Sequence, residues 1–231
     1  MANLIKKELE KRTNQEKAQI LSRFFKTGKG QYGEGDIFLG VTVPEIRKVA
    51  RQFKEVDFSK IQELLDDKIH ECRLAGILIL VEKYEKAEQD EKEKIFKLYL
   101  KNYKNINNWD LVDLSAPKIV GNYLLNKDRK ILYDLIDSGH LWKKRIAILA
   151  TFSFIREEQL DDTFKISKIL LNDEHDLIQK AVGWMLREAG KRNKEKEIEF
   201  LEKHASKMPR TMLRYAIEKF SESERKYFLA K

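Results

Sequence analysis

Short runs of one cation followed by small and apolar residues return along this chain at a nearly constant interval. That interval limits the fold more than any other feature. Arg73-Leu74-Ala75-Gly76, Arg145-Ile146-Ala147-Ile148, Lys180-Ala181-Val182-Gly183 and Arg214-Tyr215-Ala216-Ile217 align on one register, with spacings of 72, 35 and 34 residues. The first spacing is two intervals of 36, and the skipped member falls on Trp109. Each run lies in the second of two consecutive helical patterns, so the unit that repeats is a helix pair about 35 residues long. A pair that small cannot bury its own apolar face and must stack on its neighbours.

The fold class that follows is all-α: an α-α superhelix, or solenoid, of HEAT-like helix pairs with a concave basic groove. If the shared register faces inward, Arg73, Arg145, Lys180 and Arg214 form a stripe with a step of about 10 Å per pair. Composition agrees, since helix interiors exclude Pro and Gly and this chain has only 3 Pro and 10 Gly against 36% charged residues. Helical periodicity is predicted at 57–66, 68–84, 88–104, 108–126, 128–138, 141–156, 161–171, 175–191, 194–206, 209–219 and 221–230. Ahead of these lie one or two packing helices within Leu4 to Phe25, a glycine-rich loop from Thr27 to Asp36, and a helix opened by a Thr42/Glu45 capping box with Pro44 in its first turn. We read residues 1–231 as a single domain, with 1–55 as N-terminal helices and loop and 56–231 as the repeats. Gly28, Gly30 and Gly33 spell GxGxxG, but no strand precedes them, so a loop against its own helices or the edge of a nucleic-acid groove fits better than a dinucleotide site.

A formal charge of +8 suits a polyanionic partner without naming one. The single Cys72 rules out an intramolecular disulfide and lies in an apolar run, as an inert buried thiol does. Residues 1–13 lack an apolar stretch of signal-peptide length, and no apolar run approaches the ~18 residues of a membrane span. A cytoplasmic monomer is the expectation. His70, His140, His175 and His204 show no metal-ligand spacing and are read as surface or capping residues, so neither metal nor cofactor is expected. Ser115-Ala116-Pro117-Lys118 fits S-x-x-K, but the companion motifs of that chemistry are absent.

The stripe breaks its own pattern in the middle. Trp109 takes the place of a cation, and one helical turn later, where Ile77, Leu149 and Glu218 stand in other repeats, this chain carries Asp113 and Trp184. Pro117 follows Asp113 by four, removes the N–H that the Asp113 carbonyl would accept, and so predicts a break between 113 and 117. Two tryptophans and one carboxylate on the face of a basic stripe describe either a site or a structural ion pair between Asp113 and Arg145. Residue chemistry alone leaves both open.

Trp109-Asp110-Leu111-Val112-Asp113 with Pro117, then Leu141 to Leu149, then Ile178 to Glu188, preceded by Phe38-Leu39-Gly40-Val41-Thr42-Val43-Pro44-Glu45, resemble in order the AlkD-like glycosylases of the DNA alkylation repair family. The resemblance covers most of the chain from Phe38 onward. It implies HEAT-like repeats curved round duplex DNA and release of cationic bases, N3-alkyladenine and N7-alkylguanine. It also implies that Asp113 is the catalytic carboxylate, that Trp109 and Trp184 contact the lesion nucleotide's sugar and backbone, and that Arg145 completes the constellation. The long glycine-rich loop and polar N-terminal helices depart from that pattern, and some branches of the family lack glycosylase activity. A non-catalytic DNA-binding protein and a protein-binding scaffold therefore stand as alternatives.

The implied chemistry needs little from the protein. An N-alkylated purine is already cationic and leaves as a neutral base, so no general acid is required. What the transition state lacks is a counter-charge for the oxocarbenium-like sugar, which Asp113 can supply while orienting water. At an effective dielectric near 20, a carboxylate about 4 Å away contributes on the order of 4 kcal/mol, or about three powers of ten in rate. Trp109 and Trp184 can pack on deoxyribose and exclude water. Lys143, Lys144, Lys180, Arg187, Lys191, Arg192, Arg210 and Arg214 are the candidates for backbone phosphates.

Overall fold

The computed structural model describes all 231 residues, Met1–Lys231, and the chain is all-α. Its contacts group into two compact units, Met1–Ser115 and Ala116–Lys231. The first contains α1 (Ala2–Glu10), α2 (Gln15–Phe24), α3 (Val43–Gln52), α4 (Phe58–Leu65), α5 (His70–Lys86), α6 (Gln89–Lys101) and α7 (Trp109–Asp113). The second opens with a π-helical turn, Pro117–Gly121. It continues through α8 (Asn122–Leu124), α9 (Lys130–Asp137), α10 (Leu141–Arg156), α11 (Asp161–Ile169), α12 (Asp176–Gly190), α13 (Lys194–His204), α14 (Arg210–Ala216) and α15 (Glu222–Ala230). Most ends agree with the periodicity to within a few residues, because each helix carries its own apolar face and its own stop. No helix is long and apolar enough to cross a membrane.

The repeat is visible in the helices themselves. Arg145, Lys180 and Arg214 are each the fifth residue of α10, α12 and α14, and Trp109 opens α7. In the second unit α12 packs against both α10 and α14. Gly183 lets α14 come close: a Cβ there would sit 2.4 Å from the Met212 carbonyl oxygen. In the first unit α5 is the central element, buried along most of its length and packed by α3, α4 and α1. Pro117 acts as expected on the backbone, since α7 stops at Asp113 and the next regular turn, of π type, begins at Pro117.

Three expectations change. Thr42 does cap α3 from an extended conformation, but its side chain makes no capping hydrogen bond, and Glu45 pairs with Lys48 instead. The capping box belongs to α15, where Ser221 and Glu224 exchange both bonds. The segment from Leu4 to Phe25 is not uniformly a packing one: α1 buries Ala2, Ile5 and Leu9, whereas α2 buries no side chain and leaves Ile20 58% and Phe24 60% exposed. Ile20 and Phe24 lie one turn apart and, with Leu21 and Phe25, line an apolar cavity of about 300 Å³. The cationic register, finally, does not run through one environment. Arg73 and Arg145 are buried, Lys180 is half-buried and Arg214 is exposed.

Candidate functional site

In the first unit α7 is only five residues long, too short to hold its side chains by helix propensity alone. Tertiary contacts hold it instead. Asn108 caps it, its Oδ1 accepting from the Trp109 N–H at 2.9 Å, and Leu111 and Val112 are fully buried anchors. The Trp109 ring stacks on Phe25 at a centroid distance of 5.1 Å and meets Phe24 edge-on at 5.8 Å. Phe25 stacks in turn on Phe38 and His70, at 5.2 Å each, so Trp109 ends a column of flat rings.

Beneath that column lies a buried ionic cluster. The His70 Nε2 faces Asp110 Oδ2 at 2.8 Å and its Nδ1 faces Asp36 Oδ2 at 3.4 Å. Arg73 places Nη2 2.7 Å from the same Asp36 oxygen and donates from Nη1 to the Asp67 carbonyl at 2.9 Å. Asn107 donates to Asp36 Oδ1 at 3.1 Å. Two carboxylates thus face two cations. Burial alone would lower the His70 pKa, but the charge and hydrogen bond of Asp110, joined by Asp36, outweigh it and raise it to about 9. Burial pushes the Asp36 carboxyl up, yet the His70 bond, the Arg73 charge and Asn107 together hold it below its ordinary value. Asp110 belongs to α7, so this cluster ties the Trp109–Asp113 helix to α5 and to the end of the glycine-rich loop.

Nothing in the sequence signals this cluster. His70, expected at the surface or as a cap, is 2% exposed; His140 and His175 do cap, accepting at Nδ1 from the Trp142 and Leu177 N–H groups. No spacing rule links Asp36, His70 and Asp110, because the loop and two helices that carry them meet only in the fold. The glycine-rich loop packs on its own chain and delivers Asp36; an isolated bridge of Ile37 with Ile69 and the bond from His70 N to the Ile37 carbonyl at 2.8 Å set that meeting. Glu71, also buried, accepts from the backbone N–H groups of Leu39, Gly40 and Val41.

Asp113, one turn beyond Trp109, is half-buried. Burial, joined by the Asp113 charge, pushes the Tyr99 phenol pKa up against a Ser115 hydrogen bond that lowers it. Ser115 is fully buried against Tyr99 and the Leu111 carbonyl, which leaves its S-x-x-K match a structural one.

The second unit carries the other candidates. Arg145 is 5% exposed, and its Nη1 donates to the Leu177 carbonyl at 2.5 Å, joining α10 to α12. Trp184 is half-buried, donates from Nε1 to Glu188 at 3.2 Å and lies 6.0 Å from the Phe152 ring. Of the candidate phosphate ligands, Lys143 is half-buried. Lys144 pairs with Asp173 at 2.5 Å, Lys180 with Asp176 at 2.7 Å, Arg187 with Glu188 and Glu218, and Lys191 with Glu188 at 2.8 Å. Arg192, Arg210 and Arg214 are exposed. Trp109 and Asp113 share one helix, while Arg145 and Trp184 lie on neighbouring helices of the other unit. No group of three or more His, Cys, Asp or Glu side chains is arranged to hold a metal ion.

No curated protein matches the chain. Among solved structures it is similar to a protein described as a predicted DNA alkylation repair enzyme from Enterococcus faecalis, with a TM-score of 0.70 and 17% identity over 91% of this chain and 98% of that one. At that identity the likeness speaks to the fold. The sequence model of the DNA alkylation repair enzymes matches residues 5–220, nearly the whole chain, and the protein therefore belongs to the DNA alkylation repair enzyme family.

Proposed function

We propose that this protein is a monofunctional DNA glycosylase of base excision repair, a hydrolase that cuts the N-glycosidic bond of cationic alkylated purines, 3-methyladenine and 7-methylguanine, in duplex DNA. The observation that carries the reading is the α7 element in a chain of this family. A short helix presents Trp109 and, one turn on, Asp113, both half-buried, and it is braced from below by a buried ionic cluster. That bracing is what an electrostatic catalyst needs, because a carboxylate held in place requires no reorganisation when the sugar becomes cationic. Asp113 takes the part of the counter-charge. Trp109 and Trp184 offer flat surfaces to the sugar, and Arg145 completes the set as a positioning or phosphate-binding group. Lys143, Lys144, Lys180, Arg187, Lys191, Arg192, Arg210 and Arg214 serve the backbone phosphates. The exposed pairs among them stabilise little and can be exchanged for phosphate. The protein acts as a cytoplasmic monomer and a single domain.

The test is single-turnover release of 7-methylguanine and 3-methyladenine from methylated duplex DNA, comparing the native chain with Asp113→Asn at matched folding. The native protein releases base, and Asp113→Asn loses on the order of a hundredfold or more. Binding of DNA without base release by either would reassign Asp113 to a structural role and leave a non-catalytic DNA-binding protein.

A further inference from the structure

A cleft of about 370 Å³ opens between α11 and α13, and none of the second unit's candidate residues lines it. Its floor is aromatic. Phe164 and Phe200 lie with ring centroids 5.6 Å apart and planes tilted by 37°, and His204 lies 4.6 Å from Phe200, tilted by 53°. Around that floor stand lysines from both helices. Lys196 is paired with Asp161 at 3.5 Å and Lys203 with Glu199 at 2.5 Å. Lys165 and Lys168, exposed and three residues apart on α11, face the same cleft with no carboxylate to answer them.

We propose that this cleft is a second nucleotide-binding site, which lays a nucleobase on the Phe164–Phe200–His204 floor and takes its phosphate on Lys165 and Lys168. The combination selects the ligand class. An acidic peptide would satisfy the lysines but has no flat group for three contiguous rings, and an apolar ligand would leave the two lysines unused. A nucleotide satisfies both, by base–aromatic stacking and by charge. The cleft volume falls in the range of small-ligand sites. Its electrostatics agree: burial, then the charges of Lys168, Lys207 and Lys203, hold the His204 imidazole below its ordinary pKa, so the ring is neutral at pH 7 and stacks without repelling the lysines. The site is separate from the proposed glycosylase chemistry and does not depend on it.

The shared chemistry covers a free nucleotide and an unpaired nucleotide of a strand. Calorimetric titration of the full-length protein with dAMP, with the single strand (dA)4 and with inorganic phosphate separates them. The variants are Phe164→Ala, the pair Lys165→Glu/Lys168→Glu and a charge-matched pair elsewhere, Lys94→Glu/Lys101→Glu on α6. All four lysines are exposed, so folding is preserved. With dAMP or (dA)4, affinity drops about tenfold or more in Phe164→Ala and in the α11 pair, and stays within about twofold in the α6 pair, as expected for one lost stack or two lost phosphate contacts. Equal binding of dAMP and (dA)4 marks a site for free nucleotides, and binding of (dA)4 alone marks a site for unpaired strand. The proposal is overturned if neither ligand binds, if phosphate binds as tightly as dAMP, or if the α6 pair weakens binding as much as the α11 pair.

Discussion

His70 is the residue whose replacement tests the architecture of the α7 element most directly. Its imidazole is 2% exposed, bridges Asp36 and Asp110, and has a pKa raised to about 9 from an ordinary value of 6.5. A folded-state pKa above the unfolded one means that the fold binds the proton more tightly. The stabilisation is therefore complete below about pH 6.5 and is lost as pH rises through 9. The shift is worth about 3 kcal/mol in full, roughly 2 to 3 at pH 7, and close to nothing by about pH 10. His70→Gln keeps a polar side chain of similar reach but cannot carry the charge. Urea unfolding of both proteins at pH 6, 8 and 10 gives the stability difference at each pH, and costs that do not involve the proton cancel between pH values. The difference should shrink by about 3 kcal/mol across that range. A constant difference would show that the fold leaves the proton affinity of His70 unchanged, and the ionic brace under Trp109 would have to be abandoned. Trp109 reports the same event, because its ring stacks on Phe25, which stacks on His70.

Two further predictions concern the second unit. Glu197 is 2% exposed, its Oε1 has no partner, and burial, only partly offset by Lys194 and Arg187, raises its pKa to about 8. A carboxyl raised in this way costs stability as pH climbs from its unfolded pKa towards 8, so Glu197→Gln should stabilise the protein at pH 7 by on the order of 1 to 3 kcal/mol and leave it unchanged near pH 4. A thermal melt showing the variant less stable at pH 7 than at pH 4, relative to the native chain, would contradict this. A Cβ on Gly121 would sit 2.3 Å from the Ala150 carbonyl oxygen and 2.9 Å from the Ser153 Cβ, so Gly121→Ala should cost about 1 to 3 kcal/mol in denaturant unfolding by pushing α10 off the π-helical turn. A neutral result would mean that the two elements separate freely.

Much of the fold was legible in the chain. α10 spans Leu141–Arg156, the run its periodicity marks, and the break after Asp113 follows from one proline. Trp109 and Asp113 stood out because they interrupt a repeat, a signal that needs no structure. Arg73 shows where this reading stops. It shares the register of Arg145, Lys180 and Arg214, but it is buried on Asp36, a residue brought to it by a loop with no helical pattern of its own. Nor does register say which of the candidate phosphate ligands already has an acidic partner: Lys144 is committed to Asp173, while Arg214 is exposed.

Helix periodicity and proline chemistry act over a few neighbouring residues, so the all-α class, the helix-pair period and the identity of the odd residues in it can be read off the chain. That Asp36, His70 and Asp110 meet beneath Trp109, and that Phe164 and Phe200 lie together between two lysine-bearing helices, follows from the fold alone. Those meetings join residues 34 to 40 positions apart, and whether a charge there is solvated, paired or buried depends on what each helix packs against.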